Sequence, residues 1–309
     1  MMTDTAENPR ATPRPAITMI GFGEAARAFV SGWREVGQQA QIAAFDIKTN
    51  GAGKDAMQAQ YRAHGVIGCA DPAGAVQGAA LVFSLVTADQ AAGAAQEVAA
   101  VISPGAFYLD ANSCAPGTKR RNAAVVEAVG GRYVDVAIMA PVQPRKHRTP
   151  MLLSGPHATA LVPVLADLGM TVRLVSGPVG HASSIKMVRS IMVKGLEALM
   201  AECLLAGQRA GVSAEVLDSL EASDPEFGWR RRGSYNLERM MRHGQRRAAE
   251  MDEVARMLDE LDLPQGMARA TADWQRRIAG LGLDSGADDL KERTGRVLAA
   301  LMGEALDRS

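Results

Sequence analysis

Residues 16–26 read Ala-Ile-Thr-Met-Ile-Gly-Phe-Gly-Glu-Ala-Ala: an apolar run, then a GxGxxA motif, then the start of an amphipathic, alanine-rich stretch. Strand, glycine turn and helix in that order are the context in which this motif indicates dinucleotide binding. Gly21 would make the tight turn, Gly23 would let the backbone approach a pyrophosphate, and Ala26 is small enough for close helix–strand packing. The free N–H groups and positive dipole end of the helix would then meet the phosphates. The motif therefore predicts a cofactor-binding loop of five consecutive residues: Gly21, Phe22, Gly23, Glu24 and Ala25.

An acidic residue follows the second apolar run, which covers residues 41–45. It is Asp46, twenty residues after Ala26. An acid at this place binds the ribose hydroxyls of NAD and repels the 2′-phosphate of NADP. We therefore predict NAD as the cofactor. Lys48, two residues later, could offset part of that repulsion, so NADP stays open as the cofactor. The alternative for Asp46 is that it is simply a solvated acid of a loop.

Two further loops should face the cofactor, because ligands bind at the carboxyl ends of parallel strands. Val86 and Thr87 follow the apolar run 80–85, and Asn112 and Ser113 follow the run 106–109. Ordinary turns also favour Asn, Ser and Thr. Both interpretations stay open for Thr87, whereas for Ser113 we favour a role in the site.

The wider pattern predicts two kinds of domain. From Pro15 to about residue 176, short apolar runs alternate with helical patterns, which is typical of a mostly parallel sheet with crossover helices. After that only helical patterns follow: one long helix from Val179 to about Arg209, then stretches over 214–220, 226–243, 246–261, 266–281 and 288–306. We predict a disordered tail over residues 1–14, an α/β Rossmann domain that binds NAD(P) over 15–177, and an all-helical substrate and dimerisation domain over 178–309.

Composition narrows the function classes. The chain has 309 residues, which suits two domains, and a formal net charge of zero, which gives no footprint for nucleic acid or an anionic membrane. No apolar run is long enough to span a bilayer. The three cysteines are far apart, so neither a disulfide framework nor a metal site is predicted, and a reducing cytoplasm is the expected location.

The long helix carries the catalytic candidate. Lys186, Ser190, Lys194 and Glu197 lie along one stripe at helical spacing, among mainly apolar neighbours. Such polar residues would point into a cleft or towards a partner surface, and a lysine placed there can act in proton transfer. The alternative is that the stripe is simply the solvated face of a long helix.

At this point the sequence resembles the β-hydroxyacid dehydrogenase superfamily, which includes 3-hydroxyisobutyrate and 6-phosphogluconate dehydrogenases. The resemblance covers most of the chain. In that superfamily a Rossmann domain leads into a long helix that carries an essential lysine after a glycine-rich turn, and Gly180 and Lys186 match that segment in spacing. Ser113 matches the strand-end serine motif. The stretch from Lys186 to Leu199, with the residues 245–271, is similar to a branch whose C-terminal domain has no assigned substrate.

The resemblance implies a mechanism and a set of roles. The nicotinamide exchanges the hydride, Lys186 moves the alcohol proton, and Ser113 and Ser190 orient the substrate oxygen. Two positions depart from the family pattern: Ser190 stands where an asparagine is typical, and Met139-Ala140 stands in place of the Ser-Gly-Gly loop that binds a substrate carboxylate.

The implied function is an NAD(P)-dependent oxidoreductase that acts on the CH–OH group of a β-hydroxyacid-like small molecule. Superfamily members with such a long helix usually dimerise, so a homodimer is expected. Three alternatives stay open. They are a lyase or decarboxylating enzyme that uses NAD(P) transiently or structurally, an enzyme similar to the imine reductases, and a non-enzymatic nucleotide sensor. Lys186 counts against the last two, because imine reductases usually replace this lysine and a sensor needs no proton-transfer group.

Overall fold

The computed structural model describes residues 17–303, so the predicted tail and the end of the last predicted helix lie outside it. The chain divides into two compact units. The first, here called the Rossmann unit, contains the chain up to Asn112 together with Thr118–Ala182. The second, the helical unit, contains Ser113–Gly117 and the chain from Ser183 onward.

The Rossmann unit is built on one eight-stranded sheet with the order β3-β2-β1-β4-β5-β6-β7-β8. Neighbouring strands are parallel except for β6 and β7, which pair antiparallel. The strands are β1 Ile17–Ile20, β2 Ile42–Phe45, β3 Ile67–Gly68, β4 Leu81–Ser84, β5 Phe107–Asp110, β6 Arg132–Ile138, β7 Met151–Ser154 and β8 Val172–Leu174.

Helices follow most of the strands. They are α1 Glu24–Glu35, α2 Lys54–Ala63, α3 Pro72–Val76, α4 Ala91–Ala99, α5 Pro116–Glu127 and α6 Ala158–Asp167. Successive strand residues point to opposite faces of the sheet. Phe83 and Leu109 therefore join one apolar core, which also contains Trp33 of α1, whereas Val82 and Tyr108 join the core on the other face. Two buried faces are what a mainly parallel sheet requires.

The order of the strands sets the place of a ligand site. The chain moves from β1 outward to β3, then returns to the other side of β1 with β4. In open sheets of this kind, ligands bind at the carboxyl ends of the strands where the order reverses. That point lies between β1 and β4, where the glycine motif follows β1 directly.

The helical unit contains five helices within residues 183–303, counting the long helix that enters it. They are α7 His181–Ala210, α8 Ser213–Ser223, α9 Trp229–Glu260, α10 Gly266–Gly280 and α11 Leu290–Met302. Buried leucine and methionine side chains from these helices form two apolar clusters. Between residues 17 and 303, no helix has both the length and the apolar character needed to cross a bilayer.

The predicted fold class is confirmed, and one helix prediction is wrong. The sequence pattern separates residues 226–243 from 246–261, but α9 runs without a break from Trp229 to Glu260. Gly244, at the expected break, is a contact point instead: a Cβ there would lie 2.5 Å from the carbonyl oxygen of Gln275 in α10. The glycine lets two helices approach closely, and it does not end the helix.

Candidate active site

The glycine loop begins directly after β1. Gly21 has a φ of +86°, and an added Cβ would lie 2.6 Å from the carbonyl oxygen of Leu85. Its N–H donates to the carbonyl oxygen of Phe45, 2.8 Å away, which ties the turn to the end of β2. Only glycine adopts this backbone without strain and also fits beside β4.

The N-terminus of α1 offers the donors that a pyrophosphate needs. Gly23 is the N-cap residue and provides no side-chain acceptor for the first turn. A Cβ at Gly23 would meet no atom of the described chain within 4 Å, so a side chain here would project into open space in front of the helix. Ala26 is fully buried, as close packing of helix and strand requires. These features fit the phosphates of a dinucleotide.

The ring of Phe22 does not face this space. It is buried against Tyr61 and His64, with ring centroids 5.1 and 5.7 Å away. Its backbone N–H donates to one carboxylate oxygen of Asp46 at 2.8 Å. The other oxygen of Asp46 accepts from the backbone N–H of Lys48 at 3.0 Å. A carboxylate has about four acceptor positions, so Asp46 can brace the glycine loop and still accept from a ribose diol.

The loops after β4 and β5 are joined by Asn112. Its side-chain oxygen accepts from the N–H of Val86 at 2.7 Å, and its amide group donates to Ser84 at 2.9 Å and to Asp110 at 2.8 Å. Asn112 thus holds the two predicted loops together. Thr87 is exposed, and the side chains of Thr87 and Gln90 hold the pKa of Asp89 below its ordinary value. An interaction between residues two positions apart is the turn chemistry already considered for Thr87.

Charged side chains from β5, β6 and α5 form a buried network that the sequence pattern does not predict. Asp110 and Asp135 are register partners on β5 and β6, and both are fully buried. The buried ammonium of Lys119 lies 2.9 Å from one carboxylate and 3.4 Å from the other. Burial alone would raise the pKa of Asp110, but Lys119 and hydrogen bonds from Tyr133 and Asn122 outweigh it and lower the pKa. The sequence does offer one indication of this network: an aspartate lies in each of two successive apolar strands. Two buried carboxylates that pair across strands need a cation between them.

Asp135 also reaches the start of α7. Its second oxygen accepts from the hydroxyl of Ser154 at 3.0 Å and from the N–H of Gly180 at 3.1 Å. The same hydroxyl accepts from the N–H of Ala182 at 3.0 Å. The N-terminus of α7 is therefore fixed by an acid of the sheet, as the helix dipole favours.

In the helical unit, the short segment 113–117 brings Ser113 to the catalytic candidate. The ammonium of Lys186 donates to the hydroxyl oxygen of Ser113 at 2.7 Å. Two acids of α9 hold the same segment: Glu253 accepts from the N–H of Ala115 at 2.8 Å, and Glu260 accepts from the N–H of Gly117 at 2.9 Å. Glu253 and Glu260 were missed, although both share a helical stripe with apolar residues of α9.

The stripe along α7 faces the interior of the helical unit. Ser190, Lys194 and Glu197 are buried, so the interpretation as a solvated face is wrong for them, whereas Lys186 is half-buried. The hydroxyl of Ser190 donates to the carbonyl oxygen of Lys186 at 2.9 Å and accepts from Lys194 at 3.0 Å. Its proton is thus used within the helix. Glu197 pairs with Arg247 of α9 and accepts from Gln275 of α10 at 2.8 Å.

Lys194 has a second partner, which the helical spacing of α7 does not predict. Its ammonium lies 2.9 Å from the carboxylate of Glu250 on α9. Burial raises the pKa of Glu250, but Lys194, Lys186 and Arg246 together bring it down to about 2. Glu250 therefore carries its negative charge among three cations.

Residues 14–177 match the family described as the NAD binding domain of 6-phosphogluconate dehydrogenase, a match that covers more than half of the chain. The chain belongs to this family. Residues 208–278 match a second family, described as a domain of unknown function, DUF1932. Together they confirm the predicted superfamily, with a distinct C-terminal helical domain, and the prediction of a nicotinamide cofactor.

Individual proteins show how far the similarity extends. A conserved hypothetical protein from Sinorhizobium meliloti 1021, solved by crystallography, is 33% identical, with a TM-score of 0.74 over 94% of this chain and 96% of that chain. The 3-hydroxyisobutyrate dehydrogenase of Mycobacterium tuberculosis, solved with L-serine, shares the fold at 15% identity and a TM-score of 0.69, over 92% of this chain and 99% of that chain.

A curated relative is similar over a shorter part. An uncharacterised 28.5 kDa protein of Methanothermus fervidus is 28% identical over 149 residues, which make up 48% of this chain and 56% of that protein. The chain thus spans just over half the length of that relative.

Proposed function

We propose that this enzyme oxidises the CH–OH group of a small hydroxyacid-like molecule, or reduces the corresponding carbonyl, with Lys186 as the proton-transfer group. The contact that supports this most directly is the one between the Lys186 ammonium and the Ser113 hydroxyl, at 2.7 Å. Our proposal keeps the division into a cofactor domain over residues 15–177 and a substrate domain over 178–309.

Residues of the Rossmann unit bind the cofactor in this proposal. Gly21, Gly23 and the first turn of α1 bind the phosphates, and Asp46 binds the ribose. Asn112 keeps the loops after β4 and β5 in place. When bound, the nicotinamide cofactor supplies the hydride acceptor or donor.

Lys186 and Ser113 act on the substrate oxygen. In oxidation, the neutral amine of Lys186 accepts the alcohol proton at Nζ; in reduction, the ammonium returns it to the developing alkoxide. Because the Oγ of Ser113 accepts from Nζ, its own proton can be donated to the same substrate oxygen. Ser190 takes part only through the helix, since its proton already goes to the carbonyl oxygen of Lys186.

The substrate's far end is recognised differently from the family pattern. Met139-Ala140 replaces the hydroxyl and open glycine backbone of the Ser-Gly-Gly loop, and the N–H of Met139 donates to the carbonyl oxygen of Pro150 at 2.9 Å. This loop therefore gives a carboxylate neither of those two kinds of donor. We propose a hydroxyacid-like substrate whose acidic group, where it has one, binds elsewhere in the helical domain.

The proposal also includes the cellular compartment and the binding partners. The predicted reducing cytoplasm is kept as the setting, because Cys69, Cys114 and Cys203 form no disulfide bond within residues 17–303. The partners are a small-molecule substrate and a second copy of the chain.

The test is a Lys186→Met variant assayed with a panel of β-hydroxyacids and related alcohols. Methionine keeps the apolar stem and removes only the ammonium, so NAD binding and the fold should be kept. Turnover should fall by about two to four orders of magnitude, the usual contribution of a general acid–base group. Lys291→Met, at an exposed lysine of α11, is the matched control and should keep full turnover.

Two outcomes would count against the proposal. Near-normal turnover of Lys186→Met would rule out Lys186 as the proton-transfer group. Substrate consumption without net NADH formation would favour the lyase or decarboxylating alternative, because a dehydrogenase must release one reduced cofactor for each substrate oxidised.

A further inference from the structure

We propose that Glu250 of α9 and Lys194 of α7 are positioning residues with opposite effects, which together set the proton affinity of Lys186. The inference rests on the proposed role of Lys186. It adds a task for the domain of unknown function, which contributes Glu250 and lies within residues 208–278.

A continuous set of contacts connects these residues. Lys186, Ser190 and Lys194 are spaced one helical turn apart on α7, and Ser190 bonds to both lysines, at 2.9 Å to the Lys186 carbonyl and 3.0 Å to the Lys194 ammonium. Side chains on a helix lean towards its N-terminus. The Lys194 ammonium therefore extends towards Lys186, and Glu250, 2.9 Å from it, lies on that same side.

The cluster is shielded from water, so its charges act strongly on one another. The side chain of Lys194 is 6% exposed and that of Glu250 is 19% exposed. Charge interactions in such surroundings are several times stronger than in bulk water. Lys186 contributes to lowering the pKa of Glu250, and the interaction is reciprocal: the Glu250 carboxylate stabilises the Lys186 ammonium.

The other charged side chains nearby show which positive charges Glu250 compensates. Arg246 lies one turn before it on α9 and also acts on its pKa. Glu197 and Arg247 form an ion pair with each other, and Glu253 accepts a hydrogen bond from the N–H of Ala115. Without Glu250, Lys186 would share its surroundings with the cations Lys194 and Arg246. Without Lys194, the Glu250 charge would act only on Lys186 and Arg246.

These arrangements predict shifts of opposite sign. Glu250→Gln removes a negative charge, so the pKa of Lys186 should fall. Lys194→Met removes a positive charge and releases Glu250, so the pKa of Lys186 should rise. For unit charges that interact in partly shielded surroundings, each shift should be roughly one to two pH units. The double variant should lie between the two single variants.

The measurement is competitive acetylation of lysines at a series of pH values, read by mass spectrometry at the Lys186 peptide. It needs neither substrate nor cofactor, and Lys186 is exposed enough for a small reagent. Glu238→Gln is the matched control, because Glu238 lies on the same helix and pairs with an arginine, Arg242, at 2.9 Å. It should leave the Lys186 titration unchanged.

Shifts of the same sign in both single variants, or no shift in either, would overturn the inference. If Glu250→Gln fails to fold because Lys194 is left buried and unpaired, the double variant is compared with Lys194→Met. Those two differ only in Glu250, so the pKa of Lys186 must be lower in the double variant. The titration of Lys186 does not depend on turnover. If the pKa of Lys186 does not shift in opposite directions in the two variants, this inference is refuted. If Lys186→Met keeps near-normal turnover, the proposed function is refuted.

Discussion

The carboxylate of Asp46 serves two partners at once. One oxygen accepts from Phe22 in the glycine loop and the other from Lys48, at 2.8 and 3.0 Å. Asp46→Ala should therefore weaken NAD binding by about tenfold or more, since a hydrogen bond to a charged group contributes about 1.5–3 kcal/mol. It should also narrow the preference for NAD over NADP, because the repulsion of the 2′-phosphate is lost.

Fluorescence titration of wild type and variant with both cofactors checks this. Asp55→Ala, at an exposed acid in the first turn of α2, is the control and should change neither affinity. A wild-type preference for NADP would show that Lys48, and not Asp46, determines the choice of cofactor.

Residues whose place in the fold follows from local order could be predicted from the sequence. Gly21 has a local reason to be glycine, and Lys186 lies at a fixed distance from the start of a helix. Lys119 and Glu250 could not be predicted in this way. Lys119 is paired because Asp110 and Asp135 meet across paired strands, and Glu250 is paired with Lys194 because α9 packs beside α7. Both pairings depend on contacts between residues far apart in the chain.

At the scale of secondary structure, two different causes limit prediction from the sequence. β3 and β8 have two and three residues, too few to show alternation in the sequence, so no strand was predicted there. In α9, the sequence pattern separates residues 226–243 from 246–261, whereas Gly244 between them packs against the backbone of α10. That close packing is a tertiary feature.

Two glycine substitutions separate these effects. Gly244→Ala should lower the free energy of unfolding by about 1–3 kcal/mol, because the new Cβ would overlap α10 and force the helices apart. Gly93→Ala in α4 should raise it by about 0.4–1 kcal/mol, since that Cβ meets no described atom within 4 Å and alanine favours the helix. Urea unfolding measures both. A stabilised Gly244→Ala protein would contradict the close packing of α9 and α10.

At the scale of the whole molecule, α7 also presents apolar side chains outward. Val188, Met192 and Leu199 are 54%, 63% and 58% exposed and follow one stripe of the helix. Large apolar side chains aligned along an exposed helix face are typical of an interface. This stripe gives the expected homodimer a specific surface, and a C2 dimer would pair the stripe with its own copy.

Replacing both Met192 and Leu199 by glutamate should therefore convert a dimer to a monomer at micromolar concentration, because two like charges from each copy would face one another across the axis. Light scattering coupled to gel filtration measures the mass directly. Ile47→Glu is the control: its side chain is 70% exposed but lies in the Rossmann unit, so the dimer should persist. A wild-type protein that is already monomeric would exclude the homodimer. A double variant that stays dimeric would place the interface on another face.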